Sequence, residues 1–340
     1  MMIHSAMRRA LDASAEAQGV SSPNPPVGAV ILNADGDVVG VGCTQPPGGP
    51  HAEVVALAAA GEAARGGTAV VTLEPCNHTG RTGPCAQALI DAGISAVHFA
   101  VADPNPAAAG GAQTLRAAGV EVIGGVLESE VRRGPLRHWL FRQQHGRPHV
   151  TVKIATTIDG HLAAPDGSSQ WITGPAAREH AHGLRARLDA IVVGTGTALT
   201  DNPSLTARRA DGTLYPHQPV RVVLGHRALP AGAALRDSRA PLLHVHSHDP
   251  AEVLAALPDA LWVLVEGGPA VIGAFFGAGL VDEVHSYLAP TVLGAGRTAV
   301  DDPTVSTLTQ AYRFRRDSVT ELGDDLLVVL IRDAPTGPQS

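Results

Sequence analysis

The sequence predicts two α/β domains in series, an αβα sandwich followed by a second α/β domain with a largely parallel sheet. The chain has 340 residues, more than one ordinary domain, and 44% of them are hydrophobic, which is enough for two cores. Short apolar runs alternate with helical patterns along both halves. The composition becomes basic around residues 132–148, where we expect a helix leading into a linker at 146–148. We therefore expect domains at residues 1–147 and 148–333 and a disordered tail at 334–340.

The first domain is expected to open with a helix within residues 1–20, because its apolar positions recur at helical spacing. Strands at 27–32 and 37–42 flank a turn-forming segment at 33–36, which predicts a hairpin. Helical and strand patterns then alternate. The remaining expected elements are helices at 53–64, 84–92 and 111–118 and strands at 68–73, 96–101 and 120–123.

The second domain repeats this alternation with more strands. Buried apolar runs separated by helical patterns favour parallel strands joined by crossover helices. The expected strands are 149–154, 190–193, 220–224, 241–245, 261–265, 283–288 and 326–331, and the expected helices are 175–187, 250–256 and 269–277.

Composition excludes several classes of partner. The net charge of −7 argues against nucleic acid, because neutralising phosphates requires a basic surface. No apolar run is long enough to span a bilayer, and no signal peptide is expected. Three cysteines do not form a disulfide framework and suit a reducing compartment. We therefore expect a cytoplasmic protein that acts on a small molecule.

One pattern in the first domain indicates metal chemistry. His51-Ala52-Glu53 is followed by Pro75-Cys76 and by Pro84-Cys85. A histidine and two cysteines are zinc ligands, and three protein ligands leave the fourth tetrahedral position open for water. Zinc-dependent base deaminases carry such an arrangement, with a glutamate outside the ligand set acting as acid and base. The sequence predicts His51, Cys76 and Cys85 as metal ligands and Glu53 as the catalytic group.

Other interpretations of these residues stay open at this stage. Two cysteines in a cytosolic chain are commonly buried small hydrophobes, and a histidine before a helix is commonly a cap or a surface residue. A structural zinc site would need a fourth protein ligand, which His78 could supply. The glutamate beside the histidine and the proline before each cysteine favour the catalytic site.

The second domain has no Gly-x-Gly-x-x-Gly and no P-loop motif, so neither a dinucleotide Rossmann domain nor a P-loop domain is indicated. Two glycine-bearing turns follow strands, at 193–197 and at 266–269. Backbone amides at the start of a helix after paired glycines suit a pyrophosphate, although glycines also serve merely to turn the chain. Several arginines could hold a phosphorylated substrate or form a solvated basic face: Arg178, Arg185, Arg187, Arg208 and Arg209.

Further motifs extend along nearly the whole chain and give it a family resemblance. They are 23–29 (PNPPVGA), 51–54 (HAEV), 72–78 (TLEPCNH), 80–85 (GRTGPC), 103–106 (DPNP), Lys153 with 157–160 (TIDG), 169–173 (SQWIT), 201–203 (DNP), 266–269 (EGGP) and 289–290 (AP). With these, the chain resembles the bacterial bifunctional riboflavin-biosynthesis proteins, in which a pyrimidine deaminase is fused to a reductase.

The resemblance implies a cytidine-deaminase-like first domain and a second domain similar to dihydrofolate reductase in fold. It implies Zn²⁺ and NADPH as cofactors and two successive reactions on a phosphoribosyl-pyrimidine. The first removes the 2-amino group of 2,5-diamino-6-(5-phosphoribosylamino)pyrimidin-4(3H)-one as ammonia. The second reduces the ribosyl side chain to give 5-amino-6-(5-phosphoribitylamino)uracil. We expect a homo-oligomer, a dimer or a tetramer, with no nucleic-acid or membrane partner.

The same resemblance implies roles for individual residues. Asn24 and His78 are expected to contact the pyrimidine, and Arg81, Asp103 and Asn105 the ribose phosphate. In the second domain, the expected substrate contacts are Ser169, Arg185, Leu205, Arg208 and Glu266. The expected cofactor contacts are Ala155, Trp171, Thr197, Asp201, Gly268, Pro269, Ala270, Val271, Ile272, Gly273 and Ala274.

Some roles remain open after this transfer. Lys153 and Asp159 are motif residues; a buried lysine could assist opening of the sugar ring, and a structural ion pair is the alternative. Many relatives have a histidine where this chain has Thr44, so one substrate contact is lost or taken over by Gln45.

Two other functions compete with the bifunctional one. A deaminase whose C-terminal domain does not reduce would release ammonia without oxidising NADPH, but the intact motifs at 169–171 and Asp201 argue against it. The second competitor is a nucleic-acid-binding module with structural zinc. The presence of Glu53 beside the ligands and the negative net charge of the chain argue against it.

Overall fold

The computed structural model describes residues 2–78 and 83–332. The chain divides into two compact units, Met1–Arg147 and Pro148–Ser340, each with its own sheet. The tail expected to be disordered, 334–340, lies outside the described residues. Within the part that the structure describes, no helix combines the length and the hydrophobicity needed to cross a membrane.

The N-terminal unit is built on a five-stranded sheet in the order β2-β1-β3-β4-β5. β1 is antiparallel to both of its neighbours, whereas β3, β4 and β5 are parallel. The strands are β1 (Gly28–Leu32), β2 (Val38–Cys43), β3 (Thr68–Leu73), β4 (Ala96–Val101) and β5 (Glu121–Ile123); the helices are α1 (Met2–Glu16), α2 (Ala52–Ala60), α3 (Cys85–Asp91), α4 (Gly111–Ala117), α5 (Glu128–Arg133) and α6 (Arg137–His145).

Two glycines show how closely helices cover both faces of this sheet. A Cβ atom added to Gly28 would lie 1.9 Å from the Ala10 carbonyl oxygen of α1, and one added to Gly42 would lie 2.5 Å from the Ala52 carbonyl oxygen of α2. Gly42 pairs with Ala29, so it faces the side opposite to Gly28. Helices therefore pack on both faces, which gives the expected αβα sandwich.

The basic segment at 132–148 contains the end of one helix, α5, and a complete second helix, α6, which leads to Gly146 as expected. α5 ends at Arg133, and α6 begins at Arg137. Gly134 between them is extended, with φ −83° and ψ −153°. Because the ring of Pro135 disfavours the α region for the residue before it, the helix ends at this Gly-Pro step.

The C-terminal unit has an eight-stranded sheet in the order β10-β9-β8-β11-β6-β12-β15-β14, together with a small β7–β13 ribbon. The first six strands of that order are parallel, and β15 and β14 are antiparallel to their neighbours. The strands are β6 (His149–Thr157), β7 (His161–Ala163), β8 (Ala190–Gly194), β9 (Val220–Leu224), β10 (Leu242–Val245), β11 (Trp262–Gly267), β12 (Glu283–Ala289), β13 (Arg297–Thr298), β14 (Arg315–Leu322) and β15 (Asp325–Ile331); the helices are α7 (Pro175–Arg185), α8 (Thr195–Asp201), α9 (Pro250–Ala255) and α10 (Pro269–Gly277).

The core of this unit lies on both faces of the parallel sheet. In β8, Ala190 and Val192 join a cluster with the apolar side chains of α9 and α10, whereas Ile191 and Val193 join a second cluster on the other face. Strands buried on both faces read as continuous apolar runs, which is why the sequence predicted them. β14 was missed, because its side chains are almost all exposed and mostly polar.

Candidate active sites

Three side chains of the N-terminal unit form a potential metal centre. His51 Nδ1 lies 3.6 Å from Cys76 Sγ and 3.3 Å from Cys85 Sγ. The three ligand atoms lie within 4.8 Å of one another, and no other group of three or more His, Cys, Asp or Glu ligands is found among the described residues. One imidazole nitrogen and two sulfurs are donors that Zn²⁺ prefers, and three of them leave one tetrahedral position open. The donor set fits a catalytic zinc ion.

Local structure brings these ligands together from three elements. His51 is the residue preceding α2, Cys76 follows β3, and Cys85 is the first residue of α3. The Cys85 backbone N–H donates a hydrogen bond to Cys76 Sγ at 3.4 Å. A hydrogen bond from the start of a helix stabilises a thiolate, which is the form that binds metal.

The ionisation of the two thiols is uneven. A hydrogen bond with the Cys85 thiol lowers the pKa of Cys76 to about 4, although burial opposes this shift. The pKa of Cys85 is raised, because its proton is shared with the Cys76 sulfur and burial disfavours a second negative charge. The hydrogen bond to Cys76 also raises the pKa of His51. A bound divalent cation would stabilise both sulfurs as thiolates.

Glu53 lies beside these ligands but outside the ligand set. It is in the first turn of α2, and its side chain is almost completely buried, with 4% of the residue exposed. Burial raises the pKa of Glu53 to about 7, and the negative charge of Cys76 adds to the shift. Because this buried carboxyl group lies next to the metal ligands, it is placed to accept or donate protons at the open position of the metal centre.

A cavity of about 220 Å³ gives access to this cluster. His51, Glu53 and Cys76 line it together with four of the residues expected to contact the substrate: Asn24, His78, Asp103 and Asn105. Burial raises the pKa of Asp103. Arg81 was also expected here, but it lies outside the described residues.

Glu74, another cavity residue, holds two neighbouring segments in place. Its Oε1 accepts a hydrogen bond from the Ala112 N–H at 3.0 Å, at the start of α4, and its Oε2 accepts one from the Asp103 N–H at 3.4 Å. Asp103 in turn accepts a hydrogen bond from the Asn105 N–H at 2.8 Å. The carboxylate therefore fixes the loop that carries Asp103 and Asn105 into the cavity.

Sequence reasoning missed two cavity residues on α6, Trp139 and Gln143. They are four positions apart, so they lie on one face of the helix. That spacing was the available signal, but nothing in the sequence connected this basic segment with the metal centre.

Thr44 also lines the cavity, and its Oγ1 accepts a hydrogen bond from the Val27 N–H at 3.1 Å. Gln45 instead donates to the Cys43 carbonyl oxygen at 3.0 Å.

In the C-terminal unit, two of the expected substrate contacts bind each other. Arg185 donates to Glu266 through Nε at 2.9 Å and through Nη2 at 2.7 Å, and its Nη1 donates to the Thr206 carbonyl oxygen at 3.3 Å. Burial alone would raise the pKa of Glu266, but Arg185 lowers it to about 2. Lys153 is half-buried near this pair; desolvation lowers its pKa, and the Glu266 carboxylate opposes that shift.

Aromatic and imidazole groups surround this charged cluster, and the sequence did not single them out. The Tyr287 hydroxyl lies 2.9 Å from His180 Nδ1, and Lys153 Nζ lies 5.6 Å from the centre of the Tyr287 ring. Burial lowers the pKa of His182 to about 4, and its Nδ1 lies 3.1 Å from the Thr206 carbonyl oxygen. A neutral imidazole therefore donates to that carbonyl.

The expected cofactor segment begins at the end of β11. Gly268 immediately precedes α10, and a Cβ atom added to it would lie 3.1 Å from Thr197 Oγ1. Thr197 and Asp201, both expected cofactor contacts, lie on α8. Ile272 is buried, and a Cβ atom added to Gly273 would lie 1.9 Å from the Asp301 carbonyl oxygen, so these two residues face the core.

The other expected contacts of this unit are spread over several elements. Ala155 packs against a small buried cluster that includes Tyr287, and Leu205 is buried with φ +51°. Ser169 is exposed, and Trp171 is 69% exposed, with the Arg178 guanidinium 4.6 Å from its ring centre. Arg208 forms an isolated bridge with Leu214.

Asp159 has a structural environment. It accepts hydrogen bonds from the Thr157 hydroxyl at 2.6 Å and from the Gly294 N–H at 2.7 Å. The Thr157 bond is the main reason that the pKa of Asp159 is lowered to about 2. The carboxylate ties the turn after β6 to the segment around Gly294.

Profiles of known protein families match each of the two units. A profile of the cytidine and deoxycytidylate deaminase zinc-binding region matches residues 2–101, and a profile of the RibD C-terminal domain matches residues 148–328. The first match contains His51, Glu53 and Cys76, and the second contains the Arg185–Glu266 pair and the turn before α10.

Individual relatives match nearly the whole chain. The riboflavin biosynthesis protein RibD of Mycobacterium tuberculosis is 53% identical over 329 residues, which cover 97% of each chain. The protein of the same name from Escherichia coli K12 is 37% identical over 363 residues, covering 96% of this chain and 98% of the relative. The crystal structure of a diaminohydroxyphosphoribosylaminopyrimidine deaminase/5-amino-6-(5-phosphoribosylamino)uracil reductase from Thermotoga maritima superposes with a TM-score of 0.88 at 33% identity, covering 97% and 99% of the two chains.

Proposed function

The chain belongs to the RibD family of riboflavin-biosynthesis proteins, and we propose how its own residues carry out the two reactions of that family. It is a bifunctional enzyme with a zinc-binding deaminase domain and a reductase domain. The family match to the C-terminal half argues against the alternative of a deaminase with a non-reducing second domain. The substrates are those named for the Thermotoga maritima relative, a diaminohydroxyphosphoribosylaminopyrimidine and then a 5-amino-6-(5-phosphoribosylamino)uracil.

The observation that supports deamination most strongly is the His51, Cys76 and Cys85 cluster beside Glu53 in one cavity. When bound by these three ligands, zinc supplies a Lewis acid that activates water at its open position. Glu53 accepts a proton from that water and passes it to the ring nitrogen; it then moves the proton of the added hydroxyl to the departing amine, which leaves as ammonia. Asn24 and His78 hold the pyrimidine in the cavity, and Asp103 and Asn105 lie toward the ribose.

Reduction is assigned to the cluster around the Arg185–Glu266 pair. When bound, NADPH would supply a hydride to C1′ of the opened sugar; the C1′=N double bond would become a single bond, and its nitrogen would take up a proton. Arg185 is fixed by two hydrogen bonds to Glu266, so it presents a rigid cationic surface. Lys153, half-buried and interacting with the charge of Glu266, is the group placed to deliver or hold a proton. The turn at Gly268 and the start of α10 offer backbone amides to the cofactor pyrophosphate.

We also propose that the protein works as a homo-oligomer, a dimer or a tetramer, in the cytoplasm. β14 is the last strand in the order of the eight-stranded sheet, and nearly all of its side chains are exposed; an edge strand of this kind is a template for pairing with another chain. The three cysteines are free thiols, as suits a reducing compartment. Light scattering of the purified protein measures the oligomeric state directly.

One experiment tests both activities. The purified zinc-loaded protein is given the diaminopyrimidine substrate and NADPH, and ammonia release and NADPH absorbance are followed together. We expect ammonia first and NADPH oxidation after it. The already deaminated substrate should oxidise NADPH without ammonia release. Ammonia release with no NADPH oxidation from either substrate would contradict the proposed reduction.

A further inference from the structure

The carboxyl ends of three parallel strands meet at the proposed cofactor site. Gly268 follows β11, and the position of its missing Cβ lies 3.1 Å from Thr197 Oγ1 in the first turn of α8. The Cβ position of Gly196, the neighbouring residue, lies 3.2 Å from Arg227 Nη2. Arg227 follows β9. The turn before α10, the start of α8 and the loop after β9 therefore form one continuous surface.

The charge of Arg227 is not engaged by the described residues, unlike the charges of two other arginines of this unit. Arg227 is exposed, and within residues 2–78 and 83–332 it makes no hydrogen bond or ion pair. By contrast, Arg185 pairs with Glu266, and Arg221 pairs with Asp237. The Arg227 guanidinium, which lies beside Gly196, is therefore available to bind an anionic group of a ligand.

The neighbourhood of Arg227 is also polar and locally fixed. His244 Nε2 lies 2.8 Å from the Gly225 carbonyl oxygen, so an imidazole N–H holds the turn that leads to Arg227. The rings of His226 and His248 meet edge to face, with centroids 4.9 Å apart. The nearby carboxylate of Asp249 accepts a hydrogen bond from the Ala251 N–H. The carboxylate of Glu252, in the same segment, also has a partner, because it accepts a hydrogen bond from the Ser247 hydroxyl.

The strand order gives the direction of a dinucleotide bound at Gly268. β11 lies between β6, which carries Lys153, and β8, beyond which lies β9 with Arg227. The nicotinamide must reach the sugar near Lys153 and Glu266. With the pyrophosphate at Gly268, the adenosine half extends in the opposite direction, over the start of α8 toward Arg227.

We propose that Arg227 recognises the 2′-phosphate of NADPH and is the residue that makes the reductase prefer NADPH to NADH. This inference rests on the proposed function, because it takes NADPH as the reductant. The 2′-phosphate carries the negative charge that distinguishes the two cofactors, and a guanidinium binds phosphate through two parallel hydrogen bonds. NADH offers only a hydroxyl at that position, so Arg227 contributes little to NADH binding.

The test compares wild type, Arg227→Gln and Arg227→Lys with both cofactors and the deaminated substrate. We expect Arg227→Gln to lower kcat/KM for NADPH by about 10- to 100-fold, chiefly through KM, and to leave kcat/KM for NADH unchanged. Arg227→Lys keeps the charge and should lose less. Arg316→Gln, which removes an exposed charge on β14, is the matched control and should change neither value.

A binding measurement gives a readout that is independent of activity. By calorimetry, 2′,5′-ADP should bind the wild type more tightly than 5′-ADP, and Arg227→Gln should abolish that difference. An equal loss with NADPH and NADH, or an unchanged NADPH preference in the mutant, would overturn the assignment to Arg227 while leaving the reductase function intact. Failure of the wild type to oxidise either cofactor would overturn the proposed reduction together with this inference.

Discussion

Arg185 and Glu266 form a two-point ion pair, although 81 positions separate them in the chain. Their side chains are 15% and 9% exposed. Both are also expected to contact the substrate. The structure shows that Glu266 fixes the orientation of Arg185, so the loss of either residue changes the electrostatic and geometric environment of the other.

We predict that Glu266→Gln destabilises the C-terminal unit by about 3 kcal/mol, because Arg185 would keep a largely buried charge without its partner. Reduction should fall with it, since the guanidinium is no longer held in place. Denaturant unfolding, analysed as a two-domain transition, measures the stability change. Glu321→Gln, an exposed change on β14, is the control and should have no measurable effect.

The pH dependence of the same pair provides a second prediction. The pKa of Glu266 is lowered to about 2 from an ordinary value of 4.5, so the folded state favours the ionised form. The stabilisation is therefore complete above about pH 5 and is lost as the pH falls toward 2. The difference in unfolding free energy between wild type and Glu266→Gln should be constant from pH 8 to about pH 5 and should shrink below it. A difference that grows in acid would contradict this assignment.

Sequence reasoning identified the metal centre because its ligands lie in short local motifs. The spacing of His51 and Glu53 and the two Pro-Cys steps pointed to the three side chains that the structure brings together. The alternation of strands and helices also predicted both sheets. These features depend on neighbours in the chain, which a single sequence displays directly.

Features that depend on distant contacts could not be found in this way. Nothing in the sequence links Arg185 with Glu266, or places Trp139 and Gln143 at the cavity that holds Glu53. β14 was missed because an exposed edge strand need not carry apolar side chains. Such contacts are decided by packing between elements, which spacing along the chain does not reveal.

We predict that Glu53→Gln retains zinc but lowers the deamination rate by at least about 10²–10⁴-fold, because an amide cannot accept the proton from water. Zinc content is measured by elemental analysis and activity by ammonia release. Glu62→Gln, at an exposed position just after α2, is the control. Deamination within a few-fold of wild type would show that Glu53 is not the acid and base.

Replacing either thiolate ligand should remove the metal. In Cys76→Ser and Cys85→Ser we expect loss of zinc and of deamination, while the deaminated substrate still drives NADPH oxidation. The reason is that the ligands belong to the N-terminal unit, whereas the reductase residues belong to the C-terminal unit. Cys43→Ser provides the matched control, because Cys43 is a free cysteine outside the ligand cluster and should keep both zinc and activity. A folded, zinc-free mutant that also fails to reduce would show that the two activities are coupled.

Gly268→Val should raise the KM for NADPH without affecting deamination. The position of its Cβ is 3.1 Å from Thr197 Oγ1, so a branched side chain would push into the space between β11 and α8 where the pyrophosphate is expected. The φ of −74° at Gly268 is accessible to any residue, so the effect would arise from crowding and not from backbone strain. Gly232→Val is a suitable control, since a Cβ there meets nothing within 4 Å. An unchanged KM for NADPH in Gly268→Val, with stability equal to wild type, would place the cofactor phosphates elsewhere.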